Sequence, residues 1–190
     1  MKLLYIHGYN GNPYGNSYKN LKLACKNLHE LHSIDYDENN PLKSIENIHK
    51  YIKENKIECV IGASLGGFIT MNLYGVSRIV VNPCFNPAVE LPKLGFDGNI
   101  KAYENLYNRM INSLDFEEKH LCSGVFVEND ELLGLKYLKD FKKYFKNYYI
   151  ISKGEHHITK DMAQYIIGVI LPMHDKYTTE FCEQLTLNNK

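Results

Sequence analysis

A chain of 190 residues with 44% hydrophobic side chains has the length of one domain and enough apolar surface for a core of its own. Lysine plus arginine equals aspartate plus glutamate at 22 each, so no net positive field exists to draw in nucleic acid or an anionic membrane surface. The five cysteines, at 25, 59, 84, 122 and 182, are odd in number and form no Cys-x-x-Cys pair, which predicts reduced thiols and a cytoplasmic setting.

The opening apolar run, Leu3-Leu4-Tyr5-Ile6, is far too short for a signal peptide or a membrane span, and residues 3–7 read as a first strand. A helix is predicted over 17–30, a strand over 33–36 and a helix over 42–55. A strand over 59–63 leads into a helix over 65–74. Further strands are predicted at 78–82, 123–128 and 148–152, and further helices at 135–145 and 158–171. Val60-Ile61 and Ile79-Val80-Val81 are continuous β-branched runs without polar alternation, as in parallel strands covered on both faces. Strands alternating with helices predict right-handed βαβ units, hence a mostly parallel six-stranded sheet with helices on both faces. Ligands of such sheets sit beyond the carboxyl ends of the strands. Residues 85–120 break the rhythm with Pro87, Pro92 and a helical stretch at 101–114, and read either as a lid or cap segment or as a packing excursion. From Asp175 onward, Tyr177, Phe181 and Leu185 give a weakly amphipathic tail, expected as a terminal helix docked on one α/β domain spanning 1–190.

Gly62-Ala63-Ser64-Leu65-Gly66 lies between the strand at 59–63 and the helix at 65–74. A serine with glycines two residues either side, at a strand-to-helix junction, has the context of a nucleophile elbow. Side chains at Gly62 and Gly66 would collide with neighbouring backbone in so tight a turn, and the strained serine hydroxyl is pushed above the sheet edge. A serine needs a general base, and the base needs an orienting carboxylate. Asp130 falls in the loop just beyond the strand at 123–128, where the acid belongs; Glu128 and Glu131 compete, the first as a strand end and the second as a helix start. His156 and His157 both follow the last strand, and only one can point at Ser64. His29, His32, His49, His120 and His174 read as structural or exposed. Adjacent histidines lack the three- or four-residue spacing of a helical metal site, so no metal and no cofactor is expected. Leu65 and, from the loop after the first strand, Tyr9 are the expected oxyanion donors by their main-chain N–H groups, with His7 orienting that loop. Cys84 follows Asn82-Pro83 near the same sheet edge, but without an elbow around it the packing reading outweighs the thiol-nucleophile reading.

Taken together, these pieces resemble the YqiA-type esterases, a family of small bacterial proteins of α/β-hydrolase fold. The matching segments are Tyr5-Ile6-His7-Gly8-Tyr9-Asn10-Gly11-Asn12-Pro13, Gly62-Ala63-Ser64-Leu65-Gly66-Gly67-Phe68, Val81-Asn82-Pro83, Asn129-Asp130-Glu131-Leu132-Leu133 and Gly154-Glu155-His156. The resemblance implies a compact α/β-hydrolase fold and esterase activity on short to medium acyl esters or thioesters. It favours His156 as base, because the family's base follows a glycine by two positions. Gly154 also lets the chain turn sharply, so that a residue two positions on returns over the sheet edge. The chain departs from the family at Asn129 and Lys153, where glycine is usual. The expected partner is thus a small-molecule acyl ester or thioester, with no nucleic acid and no membrane. The alternatives are an acyltransferase or thioesterase acting on a carrier-bound acyl group, and a catalytically inactive binding protein of the same fold.

Overall fold

The computed structural model describes residues 1–188, with side chains through Gln184; the expected apolar contact of Leu185 lies outside the described residues. Six strands, β1 (Lys2–Ile6), β2 (Glu30–Ser33), β3 (Cys59–Ala63), β4 (Ser77–Val81), β5 (Cys122–Val127) and β6 (Asn147–Ile151), form one sheet in the order β2-β1-β3-β4-β5-β6. Every pairing is parallel. The chain steps from β1 outward to β2 and then crosses back to β3 on the other side of β1. That reversal opens a crevice beyond the ends of β1 and β3, the usual ligand position of an open parallel sheet.

Side chains alternate along each strand, so the four inner strands, β1, β3, β4 and β5, feed two cores. Leu4, Ile6, Val60, Val80 and Phe126 face one side. There they meet α2 (Pro41–Asn55), α3 (Leu65–Met71), α5 (Ile100–Ser113) and α6 (Leu138–Tyr144). Leu3, Tyr5, Ile61, Val81 and Val127 face the other side, against α1 (Asn16–Cys25) and α7 (Lys160–Tyr165). α7 runs through a wide turn at Ile166–Ile170 into α8 (Leu171–Asn188). Between β4 and α5 lie the short α4 (Pro87–Glu90) and a tight turn at Leu91–Leu94. Local chemistry sets the helix starts: the side chains of Asn40, Asn99 and Thr159 cap α2, α5 and α7 by accepting N–H bonds from Lys43, Ala102 and Met162.

Several boundaries differ from those expected. The second strand is Glu30–Ser33 and shares only Ser33 with the predicted 33–36. The preceding helix stops at Cys25 because Lys26 turns to φ 51°, which frees Leu31 to pair beside Leu3. The helix expected at 135–145 starts only at Leu138. The last helix and the tail are continuous through Pro172. The wide turn just before that proline absorbs its missing N–H and the clash of its ring with the carbonyl four residues back.

Below the opposite, amino-terminal end of the sheet, α8 buries His174 completely between two hydroxyls. Its Nε2 lies 2.6 Å from Ser77 Oγ and its Nδ1 2.7 Å from Ser123 Oγ. Burial, helped by Arg78, pushes the imidazole down to about 4. A free histidine titrates near 6.5, so between pH 6.5 and about 4 the unfolded chain holds a proton that the folded one does not. Stability is therefore lost as the pH falls through that window, by about 3 kcal/mol in all. Urea unfolding at pH 7 and pH 5 checks this: His174→Gln should flatten the pH dependence, and an unchanged slope would remove His174 as its source.

Candidate active site

Ser64 sits at the carboxyl end of β3 with φ 53° and ψ −119°, a strained backbone for a non-glycine residue. Two glycines make the turn possible. A Cβ on Gly66 would overlap the carbonyl oxygens of Ile6 and His7, and one on Gly62 would overlap Thr70 Oγ1 and Gly66 O. The Ser64 backbone is fixed from β4: its N–H donates to Val81 O at 3.0 Å, and Cys84 N–H donates to Ser64 O at 3.0 Å.

Asp130 lies in the loop after β5 with its side chain fully buried. Oδ1 accepts the N–H groups of Leu132 at 2.7 Å and Leu133 at 3.1 Å, and Oδ2 faces His156 Nδ1 at 2.8 Å. Burial alone would raise this carboxyl, but the bonds from His156, Leu132 and Leu133 outweigh it and hold the group below the ordinary aspartate range. The carboxylate thus persists at neutral pH and fixes which ring nitrogen faces it. His157 also lines the cleft that holds Ser64, but it is 64% exposed and its ring pairs with Glu155 at 3.2 Å, not with Asp130. Glu131, the competing acid, is exposed and accepts the backbone N–H of His156 at 3.1 Å; Glu128 is exposed as well. Asn129 accepts the Gly154 N–H at 3.0 Å, so a side chain where the resembling family has glycine ties the acid loop to the histidine loop.

Ser64 and His156 line one cleft of about 330 Å³, with Gly8, Tyr9, Leu94 and Leu132 also on its walls. Among the described residues no hydrogen bond joins Ser64 Oγ to the ring; such bonds are often long before substrate arrives. Leu65 is the first residue of α3, so its N–H has no partner within the helix. Tyr9 lies in a turn closed by Gly11 N–H to Gly8 O at 3.0 Å, with Asn10 in the left-handed region at φ 55°. His7 holds this turn from behind. Its Nδ1 faces Gly8 O at 2.8 Å, its Nε2 faces Asp35 Oδ1 at 3.0 Å, and its ring stacks on Tyr36. Both ring nitrogens of His7 are therefore engaged. Cys84 is buried and its thiol is pushed up to about 12, chiefly by desolvation, which leaves no thiolate for a nucleophile at neutral pH. A separate depression of about 370 Å³, lined by His49, Asn72, Tyr74 and Arg109 among others, shares no residue with the cleft.

Two supports escape sequence reasoning. Asn82, at the end of β4, donates through Nδ2 to Glu155 O and His156 O, both at 3.1 Å. An asparagine before proline at a strand end was the available signal. Glu90 is the other. It accepts from Tyr137 OH, from Lys136 Nζ at 2.6 Å and from Lys93 Nζ at 3.1 Å. Burial opposes the charge, yet these donors hold the Glu90 carboxyl at about 2. The cluster anchors the segment that carries Leu94 to the one that follows Leu132.

An all-parallel sheet with a strained serine at the β3–α3 junction and an Asp–His pair on later loops is the architecture of the α/β-hydrolase fold. The chain belongs to the uncharacterised protein family UPF0227, which matches residues 2–171. It is 24% identical over 141 residues to a UPF0227 protein of Vibrio cholerae, covering 68% of this chain and 76% of the relative. Solved structures share the fold at low identity. Alpha/beta hydrolase domain-containing protein 10 from mouse superposes with a TM-score of 0.69 at 15% identity, over 92% of this chain and 90% of that one. The esterase domain of a Rhodothermus marinus protein gives 0.67 at 11% identity, over 93% and 87%. Est1E from Butyrivibrio proteoclasticus with ferulic acid bound gives 0.64 at 14% identity, over 97% and 89%. Among the described residues no helix is long and apolar enough to cross a membrane.

Proposed function

We propose that this protein is a serine hydrolase that cleaves short to medium acyl esters or thioesters through an acyl-enzyme intermediate. The observation that carries the reading is the 2.8 Å Asp130–His156 pair, whose histidine lines the same cleft as the strained Ser64. With Nδ1 committed to Asp130, Nε2 is the nitrogen left to take the Ser64 proton as Oγ attacks the acyl carbonyl. The N–H groups of Leu65 and Tyr9 stabilise the oxyanion. His156 then passes its proton to the departing alcohol or thiol. Water, deprotonated by the same nitrogen, attacks the acyl-serine, and the acid leaves as Ser64 regains its proton. Neighbours named as an esterase domain and as Est1E with ferulic acid bound support the ester class. The small cleft, with Leu94 and Leu132 on its walls, suits an uncharged acyl group of modest length. Buried thiols at Cys25, Cys59, Cys84 and Cys122 suit the cytoplasm.

A fluorophosphonate probe tests the reading, because it reacts only with a serine whose base is in place. The intact chain and His157→Ala should both take the label on Ser64, and His156→Ala should label at least about a hundredfold more slowly, the lower end of what a positioned base contributes. Equal labelling of the two histidine variants would move the base elsewhere. A wild-type chain that takes no label would leave the inactive binding protein as the better reading.

A further inference from the structure

The turn that ends β4 touches all three arms of the site. Val81 O accepts the Ser64 N–H, and Cys84 N–H donates to Ser64 O, each at 3.0 Å. Between them Asn82, 1% exposed, divides its side chain between the other two arms. Its Oδ1 accepts Val127 N–H at 2.8 Å, at the end of the strand that leads into Asp130. Its Nδ2 donates to the carbonyls of Glu155 and His156, both at 3.1 Å. The amide orientation follows from this pattern: the nitrogen faces two acceptors and the oxygen faces a donor. Asn82 N–H also bonds Val125 O at 2.8 Å, which carries the β4–β5 ladder one residue beyond β4. The backbone there turns to φ 43°, a left-handed conformation that asparagine tolerates better than most residues.

Other ties on the histidine loop come from the surface. Asn129 and Glu131 are exposed, and their bonds to Gly154 and His156 compete with water. Ser17 Oγ accepts Ile158 N–H at 3.2 Å, two residues past the base. Asp130 holds the ring from a buried position, and Asn82 is the buried tie on the loop's backbone, bonding the carbonyl of His156 itself.

We infer that Asn82 is a positioning residue for the reaction proposed above: its amide fixes the His156 backbone to the end of β5 and so sets the reach of the imidazole to Ser64. This rests on the Ser64–Asp130–His156 reading. Asn82 touches no substrate, and its effect passes through the base. Displacing a reacting group by about 1 Å costs on the order of a hundredfold in rate while leaving the binding surface intact.

Two variants of the full chain test it. Asn82→Gly accepts φ 43° without strain and deletes the amide. Asn82→Asp keeps the shape and the Val127 bond but turns an acceptor toward two carbonyls. With p-nitrophenyl acetate, both should lose roughly 10- to 100-fold in kcat with KM little changed. Fluorophosphonate labelling of Ser64 should slow in parallel, well below the melting temperature. The downfield NMR line of the His156 Nδ1 proton, held by Asp130, should shift or broaden in both. A purely structural asparagine would lower the melting temperature and leave these three readouts alone, and that result overturns the inference. So would a rise in KM at constant kcat. If Asn82→Gly does not fold, Asn82→Asp carries the same comparison. Absence of label on wild-type Ser64 would remove the triad itself, whereas a labelled wild type with unslowed variants would remove only the role of Asn82.

Discussion

Ser64→Ala should yield a folded protein whose hydrolysis of p-nitrophenyl acetate drops by about a millionfold, the loss that follows removal of a triad nucleophile. The fold should survive because the elbow is made by backbone and glycines. The Ser64 N–H and carbonyl keep their bonds to Val81 and Cys84, and no protein hydrogen bond to Oγ is lost. Alanine at φ 53° carries about the same strain as serine, so circular dichroism and melting temperature should stay close to wild type. Cys84 cannot take over, since its buried thiol is pushed up to about 12. A well-folded Ser64→Ala chain that hydrolyses the ester at the wild-type rate would end the proposal.

The parts of the fold that the sequence announced are those decided by local patterns. β3, β4 and β5 carry the apolar runs Cys59-Val60-Ile61, Ile79-Val80-Val81 and Val125-Phe126-Val127, all buried, and the serine between Gly62 and Gly66 marks its own turn. β2 lies at Glu30–Ser33 and not at the expected 33–36, because only Leu31 and Ser33 face inward on an edge strand and no β-branched run marks them. Lys26, in the left-handed region, ends α1 without the glycine or asparagine that would have signalled it. Ser64, Asp130 and His156 could be assembled because each follows a strand in the right order. Their supports could not. Asn82 acts on carbonyls 73 and 74 residues away, and Glu90 on donors 46 and 47 residues away, so both roles exist only once the sheet is closed. Asn129 is legible only as a departure from the resembling family, and its bond to Gly154 shows what the departure does in the loop.

Asp130→Asn should keep the fold and lose about ten-thousandfold in turnover, for a reason separate from charge alone. An asparagine Oδ1 can still accept the N–H groups of Leu132 and Leu133, so the loop keeps its anchor. The atom then facing His156 Nδ1 is the amide nitrogen, a donor. The ring answers by accepting there, which moves its own proton to Nε2, the nitrogen that should receive the proton of Ser64. The base is blocked without being displaced. Glu131→Gln gives the contrast: Gln can still accept the His156 N–H through its carbonyl oxygen, and the site should retain most of its activity. The pair of variants separates the two carboxylates, because only one of them bonds the ring. Should Glu131→Gln prove the crippled chain and Asp130→Asn the active one, the acid has been assigned to the wrong residue, and the ring must take a partner other than the one 2.8 Å away.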